Sequence, residues 1–411
     1  MKVLLVLNYQ REIPPFWQIQ IKYAREAFDR IIFITAKLRN DNSNTIASDS
    51  IKIIQISKFQ RFLSCLYTLL FTWFKPYFWK ELCHSEQSGI FFFKRVKHLL
   101  TISFVTNNIY KTAKTTVKQT GLCSEITVFA GWFANEALAA GLLKKKFPMI
   151  KTYSFAHSFE IHPGRNPLMP YCYNYFKHNY VDRVFFISDT MRQLYDEGTG
   201  CKYHDLLKEK SGIHYLGTQR LFNESGGAST DGVFRICSCS SMVPLKRLSL
   251  LLEALEYWNA GKIVWTHLGG GPLYNSLVEY ANKICETNKN IEIVFRGKIP
   301  NNDVQRFYAN NPIDLFINIS EVEGLPVSIM EATSYAIPVL ATDVGGTKEI
   351  VDNSNGCLVP ASITPEELLS EIKKFVFLTQ DKKQNLRSAS WSVWNNKFNS
   401  SSTGPIFWKS I

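Results

Sequence analysis

The sequence lacks several of the patterns that assign a chain to a class of protein at once. None of its nine cysteines belongs to a C-x-x-C pair, the spacing typical of zinc and thiol redox sites. Its longest apolar run, within 62–82, has about a dozen residues before Lys75, whereas a membrane-spanning helix needs roughly 20. Zinc, thiol redox and transmembrane classes are therefore not indicated.

Acidic residues are outnumbered. The chain has 47 Lys and Arg against 35 Asp and Glu, and its net charge is +12. Such an excess favours binding of phosphates, whether on nucleotides, nucleic acids or anionic lipids. The cations are spread along the chain and no recognition module is visible, so we do not expect a nucleic-acid partner.

Length, the first residues and the cysteine positions indicate the number of domains and the cellular compartment. With 411 residues, the chain is long enough for two domains. The segment 1–10, MKVLLVLNYQ, has too short an apolar run for a signal peptide and predicts a first strand. Cys237 and Cys239 lie inside an apolar segment, which predicts free, buried thiols and a reducing cytoplasm.

Short apolar runs alternate with amphipathic segments along the chain, which predicts an α/β fold with parallel sheets and helices on both faces. A stretch rich in Gly, Ser and Thr makes the best boundary. We predict a first domain at 1–217, a linker at 218–232, a second domain at 233–380 and a helical tail at 381–411 that packs back on the first domain.

Aromatic residues and cations alternate in 62–82 and 91–100. This pattern is typical of a surface that contacts a membrane interface, and equally of amphipathic helices that cover a domain core. On the first interpretation an anionic membrane surface is a partner. Its candidate contacts are the cations Lys75, Lys80, Lys94, Arg95 and Lys97.

The stretch SEVEGLPVSIMEA, 320–332, follows an apolar strand and opens a helix at a proline. The helix N-terminus offers unpaired backbone N–H groups, which bind anions. Glu323 precedes the turn and Glu331 lies inside the helix. They are candidate acceptors for sugar hydroxyls, although acids near a helix N-terminus also complement its dipole.

Four other loops follow predicted strands of the same half: SSMVPLKR with Lys246 and Arg247, LGGGP with Gly270, FRGK with Arg296, and DVGGT at 343–347. Cations before a helix oppose its dipole, so an anion is expected near the first of these loops. The glycines of the second favour either a ligand or a plain tight turn. Because parallel strands end at one sheet edge, all five loops are predicted to converge.

In the first half, His157 ends the predicted strand TYSFAH. A histidine at that edge serves catalysis or packing about equally well, and both interpretations stay open.

Together these segments resemble the family 4 glycosyltransferases. The resemblance is strongest over 234–360, in SSMVPLKR, WTHLGGGPLY, VFRGKI and EGLPVSIMEATSYAIPVLATDVGGTKEIV. It implies the GT-B fold, with two Rossmann-like domains facing across a cleft, and transfer with retention of configuration. Glu323 and Glu331 match the family's pair of glutamates separated by seven residues.

Residue roles come from this resemblance. It implies that Lys246 binds the donor diphosphate, that Glu331 binds the ribose, and that Arg296 borders the base. Catalytic candidates are His157, Glu323 and Lys246. The donor-binding candidates are Ser241, Lys246, Arg247, Gly270, Arg296, Glu323, Gly324, Leu325, Pro326, Val327 and Glu331.

Three positions depart from the family pattern. Ser241 stands where many relatives have an arginine, LNYQREIPP replaces a glycine-rich loop, and Phe155 replaces an arginine. The last two lie on the side expected to bind the acceptor. No Asp-x-Asp occurs, so no metal and no cofactor are expected, and cations and helix N-termini are expected to stabilise the leaving diphosphate.

The resulting prediction is a hexosyltransferase-type enzyme. It uses a UDP- or GDP-type sugar donor and a saccharide or lipid-linked saccharide acceptor, in surface polysaccharide or glycolipid assembly. Its predicted place is the cytoplasm, peripheral on the inner face of the cell membrane. Two alternatives remain: a sugar-nucleotide epimerase of the same architecture, and a non-catalytic scaffold subunit.

Overall fold

The computed structural model describes residues 1–10, 13–36, 50–84, 92–121, 124–161 and 172–411. They form two compact units. The first unit comprises Met1–Leu216 together with Gly404–Ile411, and the second comprises Gly217–Thr403.

The first unit is built on a sheet of parallel strands in the order β3-β2-β1-β4-β5-β6-β7. The strands are β1 (Lys2–Asn8), β2 (Arg30–Thr35), β3 (Ile51–Gln55), β4 (Glu125–Ala130), β5 (Lys151–Ala156), β6 (Arg183–Phe186) and β7 (Ser211–Ile213). Residues 3–7 of β1 are at most 1% exposed. This continuous burial explains why the strand is a run of valine and leucine rather than an alternating pattern.

Helices connect these strands. They are α1 (Pro15–Ala27), α2 (Lys58–Phe71), α3 (Pro76–His84), α4 (Phe92–Thr120), α5 (Asn135–Lys146), α6 (Ser158–Ile161), α7 (Asn174–Tyr180), α8 (Asp189–Gly198) and α9 (His204–Lys210). The described residues of the long connection from β3 to β4 form α2, α3 and α4, with a 3₁₀ turn at Thr72–Phe74.

The second unit has its own parallel sheet, in the order β10-β9-β8-β11-β12-β13. Its strands are β8 (Phe234–Cys239), β9 (Ile263–Leu268), β10 (Ile291–Phe295), β11 (Leu315–Asn318), β12 (Val339–Thr342) and β13 (Gly356–Val359). The sequence patterns did not predict β13. It is short, begins with a glycine and has only two fully buried residues, so it carries little periodic signal.

The helices of the second unit are α10 (Leu248–Glu256), α11 (Tyr274–Thr287), α12 (Asn301–Asn310), α13 (Val327–Ser334), α14 (Pro365–Val376), α15 (Gln380–Val393) and the start of α16 (Ser400–Ser410). Leucines of α10 and α14 pack on the sheet with Trp265 in one buried cluster. Two parallel Rossmann-like sheets with helical connections therefore make up the α/β fold that the sequence predicts.

The structure draws two boundaries differently from the sequence. The stretch 218–232, predicted as a linker, is part of the second unit. One oxygen of the Asp314 carboxylate accepts the backbone N–H of Ser229 in this stretch at 2.9 Å, and the other accepts that of Arg235, in the adjoining strand β8, at 2.8 Å. These bonds hold a Gly- and Ser-rich stretch in place although its composition is typical of a free linker.

The predicted tail also divides. Helix α15 belongs to the second unit, because the buried guanidinium of Arg387 donates to the carbonyl of Ile313 at 2.8 Å. Only the last eight residues, Gly404–Ile411, join the first unit.

Those last residues complete the core of the first unit. The indole of Trp408 is 1% exposed and its Nε1 donates to Oε1 of Gln20 at 2.8 Å. Its ring lies 5.4 Å from that of Phe129 on β4. A Cβ at Gly404 would approach the ring of Tyr23 to 2.3 Å, so this helix packs closely on α1.

We expect Trp408→Ala to destabilise the first unit by about 3–5 kcal/mol, because it empties an aromatic-sized volume and removes the indole donor to Oε1 of Gln20. Denaturant unfolding followed by circular dichroism measures the change. Ile406→Ala is the matched control, since Ile406 lies on the same helix and is 72% exposed. Equal stability of the two variants would contradict the packing described for α16.

Candidate functional site

In the second unit, the strand order reverses between β8 and β11. Ligands of open α/β sheets bind beyond the carboxyl ends of the strands at such a reversal. The loop after β8 leads to Lys246 and the loop after β11 leads to Glu323. Two of the predicted catalytic residues therefore flank the point where this topology places a ligand.

Lys246 and Glu323 are in direct contact. Nζ of Lys246 donates to Oε1 of Glu323 at 2.5 Å, and their side chains are 20% and 9% exposed. The side-chain amide of Asn318 donates to the same oxygen at 3.3 Å. A backbone bond from Glu321 to the carbonyl of Leu245, 2.9 Å, ties the two loops together. The ion pair is thus held in a fixed position at the sheet edge.

The loop after Glu323 enters α13 through Pro326, which is the N-cap rather than the first helical residue. A proline lacks an N–H to pair, and the first N–H groups of the helix point out of its N-terminus. Val327 is 53% exposed there, whereas Leu325 is buried. This N-terminus is available to an anion.

A second loop packs against this one and sets its backbone. Gly346 donates its N–H to the carbonyl of Gly324 at 2.6 Å. Gly345 has a φ of +55°, and a Cβ there would lie 2.0 Å from the carbonyl oxygen of Glu323. The glycines at 345 and 346 are therefore required by close packing of one loop on the other.

Glu331 lies on α13 and is buried at 7% exposure. Its Oε1 accepts from the amide of Asn301 at 2.7 Å, and Asn301 in turn accepts from Gln305 at 3.3 Å. Burial raises the pKa of Glu331 to about 7, while the bond from Asn301 lowers it. The carboxyl group thus changes charge close to neutral pH, a feature common at functional sites.

The Gly-Gly-Gly loop after β9 serves packing. A Cβ at Gly269 would meet the carbonyl oxygen of Ser240 at 1.9 Å, and one at Gly271 would meet that of Met242 at 2.5 Å. The carbonyl of Gly270 accepts the N–H of Met242 at 3.0 Å. These glycines allow the loops after β8 and β9 to pack in contact. This packing explains the glycines without a bound ligand.

The remaining donor-binding candidates occupy different surroundings. Arg247 donates to the carbonyls of Ala361 and Ile363, so its guanidinium has partners within the protein. Arg296 is exposed, and its guanidinium lies 5.9 Å from the ring of Phe307. Ser241 is exposed in the loop after β8.

In the first unit, His157 ends β5 and is enclosed by aromatic rings. Its ring centroid lies 4.9 Å from that of Phe16 and 4.4 Å from that of Trp132. Nε2 lies 3.1 Å from the carbonyl oxygen of Gly131, so Nε2 is the protonated nitrogen. Burial lowers the pKa of His157 to about 4. The ring is neutral at physiological pH, and its Nδ1 is an acceptor.

Glu160 is a residue of this site that the sequence patterns did not predict. One carboxylate oxygen accepts the N–H of Phe133 at 2.9 Å and the other accepts that of His157 at 3.2 Å. The side chain therefore joins the loop after β4 to the end of β5. Its position three residues after His157 is the signal that could have identified it.

Asn301 and Asn318 were also missed, although each bonds one of the two glutamates. Asn318 ends β11 and Asn301 begins α12, after the loop that follows β10. A search for polar side chains at and just after strand ends could have found both. Phe155, which departs from the family pattern, is fully buried and stacks on Phe407 at 5.8 Å. Its ring fills the core.

The described part of the chain contains no group of three or more His, Cys, Asp or Glu side chains that could hold a metal ion. At the edge of the second sheet, the charges near the reversal of strand order include Lys246, the helix N-terminus and the two glutamates. This arrangement suits a ligand with a phosphate for the first two and hydroxyls for the last two.

The chain is similar to known proteins in sequence and in fold. Residues 223–390 match the family model of the glycosyl transferases group 1. A segment of 92 residues is 41% identical to the O-antigen biosynthesis glycosyltransferase WbnH of Escherichia coli. That match covers 22% of this chain and 24% of the relative, so the chain spans about a quarter of the relative's length in the alignment.

Solved structures match the whole chain at low identity. HepE of Anabaena in complex with UDP has a TM-score of 0.65 at 14% identity, over 100% of this chain and 99% of that one. The apo form of the lipopolysaccharide outer core galactosyltransferase WaaB has a TM-score of 0.68 at 13% identity, over 99% and 98%. The chain thus has the GT-B fold, and residues 223–390 of its second unit match the family model of the glycosyl transferases group 1.

Proposed function

We propose that the protein transfers a sugar from a nucleotide-diphosphate sugar to a hydroxyl group of a saccharide acceptor, with retention of configuration. The observation that carries the proposal is the edge of the second sheet. There Lys246, Glu323, the N-terminus of α13 and Glu331 lie around the reversal between β8 and β11. The match to an O-antigen glycosyltransferase supports a place in surface polysaccharide biosynthesis.

Each residue has one task in this proposal. The ammonium group of Lys246 and the N-terminus of α13 bind the diphosphate and stabilise it as it leaves. Glu331 accepts hydrogen bonds from the ribose hydroxyls. Glu323 binds hydroxyls of the donor sugar, which requires its contact with Lys246 to be shared with the ligand.

The transfer step breaks the bond from the anomeric carbon to the phosphate oxygen and forms one to the acceptor oxygen. The acceptor proton passes to the leaving phosphate, so both bonds lie on one face of the sugar and the configuration is retained. The neutral His157 contributes an acceptor, not a positive charge, because burial keeps its pKa at about 4.

The acceptor is proposed to be lipid-linked, and the protein to sit peripherally on an anionic membrane at the cytoplasmic face. Large apolar side chains are exposed on α2 and the 3₁₀ turn after it, among them Phe59 at 68%, Phe62 at 60%, Leu70 at 60% and Phe74 at 81%. Among the described residues, no helix is long and apolar enough to cross a membrane. Exposed aromatic side chains beside lysines are typical of interfacial contact.

A sugar-nucleotide epimerase and a non-catalytic scaffold have the same architecture. The epimerase converts its nucleotide sugar without an acceptor, and the scaffold turns over nothing. Product analysis with and without a saccharide acceptor therefore separates all three.

A nucleotide should stabilise the protein through the second unit. A nucleotide or nucleotide sugar at 100 times its Kd adds about 2.7 kcal/mol of stability, so a thermal-shift screen of UDP and GDP compounds detects the donor. Glu331→Ala removes charged hydrogen bonds to the ribose and should weaken binding about 10- to 100-fold.

Arg306→Ala serves as the control, because Arg306 is exposed in the same unit and pairs with Asp303. Absence of a shift with every nucleotide would contradict the donor site and favour the scaffold. An inverted anomeric configuration in the product, read by NMR, would contradict retention.

Affinity for the nucleotide sugar should depend on pH. The ionised carboxylate of Glu331 accepts from ribose hydroxyls, and its pKa in the free protein is raised to about 7. Affinity is therefore full above pH 7 and falls as the pH drops through 7, by about tenfold between pH 8 and pH 6. A nucleotide-diphosphate sugar takes up no proton in this range. A pH dependence of the affinity measured by calorimetric titration therefore arises from the protein.

In Glu331→Gln the affinity should be lower and constant over the same range. A pH dependence that persists in this variant would assign the titration to another group and remove the proposed role of Glu331.

Membrane attachment should require the exposed aromatic rings. We expect Phe59→Ser with Phe74→Ser to lose most of the sedimentation seen with anionic vesicles, because these rings bury apolar surface in the interface. Met149→Ser is the control, since Met149 is 93% exposed elsewhere in the first unit. Unchanged sedimentation of the double variant would exclude this surface as the contact.

A further inference from the structure

Two lysines converge on one tyrosine in the helical connection of the first unit. The Nζ of Lys111, on α4, lies 4.2 Å from the ring centroid of Tyr67, and that of Lys75 lies 5.1 Å from it. Lys75 also donates to Oδ1 of Asn107 at 3.1 Å. Two like charges therefore lie near the same aromatic ring.

No carboxylate of the described residues forms an ion pair with either lysine. Glu81 is the one acidic residue in the sequences of α2, α3 and α4, and it faces Lys177, Arg95 and Lys202 instead. Burial and the charge of Lys111 lower the pKa of Lys75 to about 8. A bound anion would offset both the burial of Lys75 and its repulsion by Lys111, because it supplies the opposite charge and accepts the lysine hydrogen bonds.

An apolar groove lies between the same two helices. A cavity of about 350 Å³ lies between α2 and α4, lined by Leu69, Phe93, Val96, Leu100 and Phe104 among others. Its lining is mainly hydrocarbon, with Lys97 at its border.

The groove and the lysines are physically linked. Thr68 lines the cavity, and its hydroxyl accepts from Asn107, the residue that binds Lys75. On α4, Phe104, Asn107 and Lys111 follow one another at spacings of three and four, which places them on one face of the helix. One buried pair of side chains, Thr68 and Asn107, thus connects the lining of the apolar groove to the ammonium group of Lys75.

We propose that this groove binds the hydrocarbon chain of a membrane lipid and that Lys75 and Lys111 bind the phosphate at the end of that chain. The ligand class is a lipid with a terminal phosphate or diphosphate. The proposal deepens the proposed function and rests on it in one respect, namely that the phosphate lipid is the carrier of the acceptor saccharide.

The charge and the cavity together select this ligand. A free phosphate would explain the two lysines but not the apolar groove. A neutral chain accounts for the groove and leaves two cations facing each other. A lipid phosphate satisfies both, with lysine ammonium groups as donors to its oxygens.

The full-length protein is tested with vesicles of phosphatidylcholine that carry either phosphatidic acid, which has a terminal phosphate, or phosphatidylglycerol, which does not. The two sets are matched in surface potential. Wild type should bind the phosphatidic acid vesicles about tenfold more tightly, since charged hydrogen bonds contribute on that order. Lys75→Gln with Lys111→Gln should abolish this preference.

The matched control is Lys58→Gln with Lys118→Gln, which removes the same charge from the exposed ends of α2 and α4. It should keep the preference and lower binding to both vesicle types. Equal loss of preference in the two double variants would reduce the effect to general electrostatics and overturn the site.

Short soluble ligands test the groove. Dihexanoyl phosphatidic acid should bind at least about tenfold more tightly than glycerol 3-phosphate, because only the former buries hydrocarbon. Equal affinities would assign the lysines to a free phosphate and overturn the lipid.

Nucleotide thermal shifts on the Lys75 and Lys111 variant keep the two proposals apart. An unchanged nucleotide shift with lost lipid preference supports the lipid site. Retained lipid preference in a protein that no nucleotide stabilises would leave the lipid site in place and count against the donor site alone.

Discussion

Parallel strand pairing is the constraint on which the functional architecture depends. In a parallel sheet every strand ends at the same edge, so residues far apart in the chain meet there. In the second unit this brings Lys246, after β8, to Glu323, after β11, although 77 positions separate them. The sheet order places the reversal between these two strands, and their loops therefore border the same crevice.

Close backbone packing then determines how these loops are held. Gly345 and Gly346 press against the loop of Glu323 and Gly324, and the three glycines after β9 press against the loop after β8. These glycines, which the sequence offers as ligand contacts, instead fix the backbone of the neighbouring loops. The two glutamates near the reversal each accept a hydrogen bond from a side-chain amide, Glu323 from Asn318 and Glu331 from Asn301.

The two units differ in how they use charge. At the edge of the second sheet, opposite charges are paired within the protein and a ligand must share or replace those contacts. In the helical connection of the first unit, lysines face aromatic rings and one another, beside exposed hydrocarbon. The first arrangement suits a polar nucleotide sugar and the second suits an amphipathic phosphate, which fits a proposed reaction between a soluble donor and a lipid-borne acceptor.

The sequence by itself determined the α/β class, nearly all of the strands and the loops of the site. Buried parallel strands are continuous apolar runs, and Gly and Pro mark the turns into helices, so both signals are local. Tertiary structure alone decided that β13 completes the second sheet and that Gly404–Ile411 packs in the first unit. It also decided that Arg247 binds carbonyls while Lys246 binds Glu323. These outcomes depend on contacts between distant segments, and residue type and spacing carry no information about which neighbour a side chain meets.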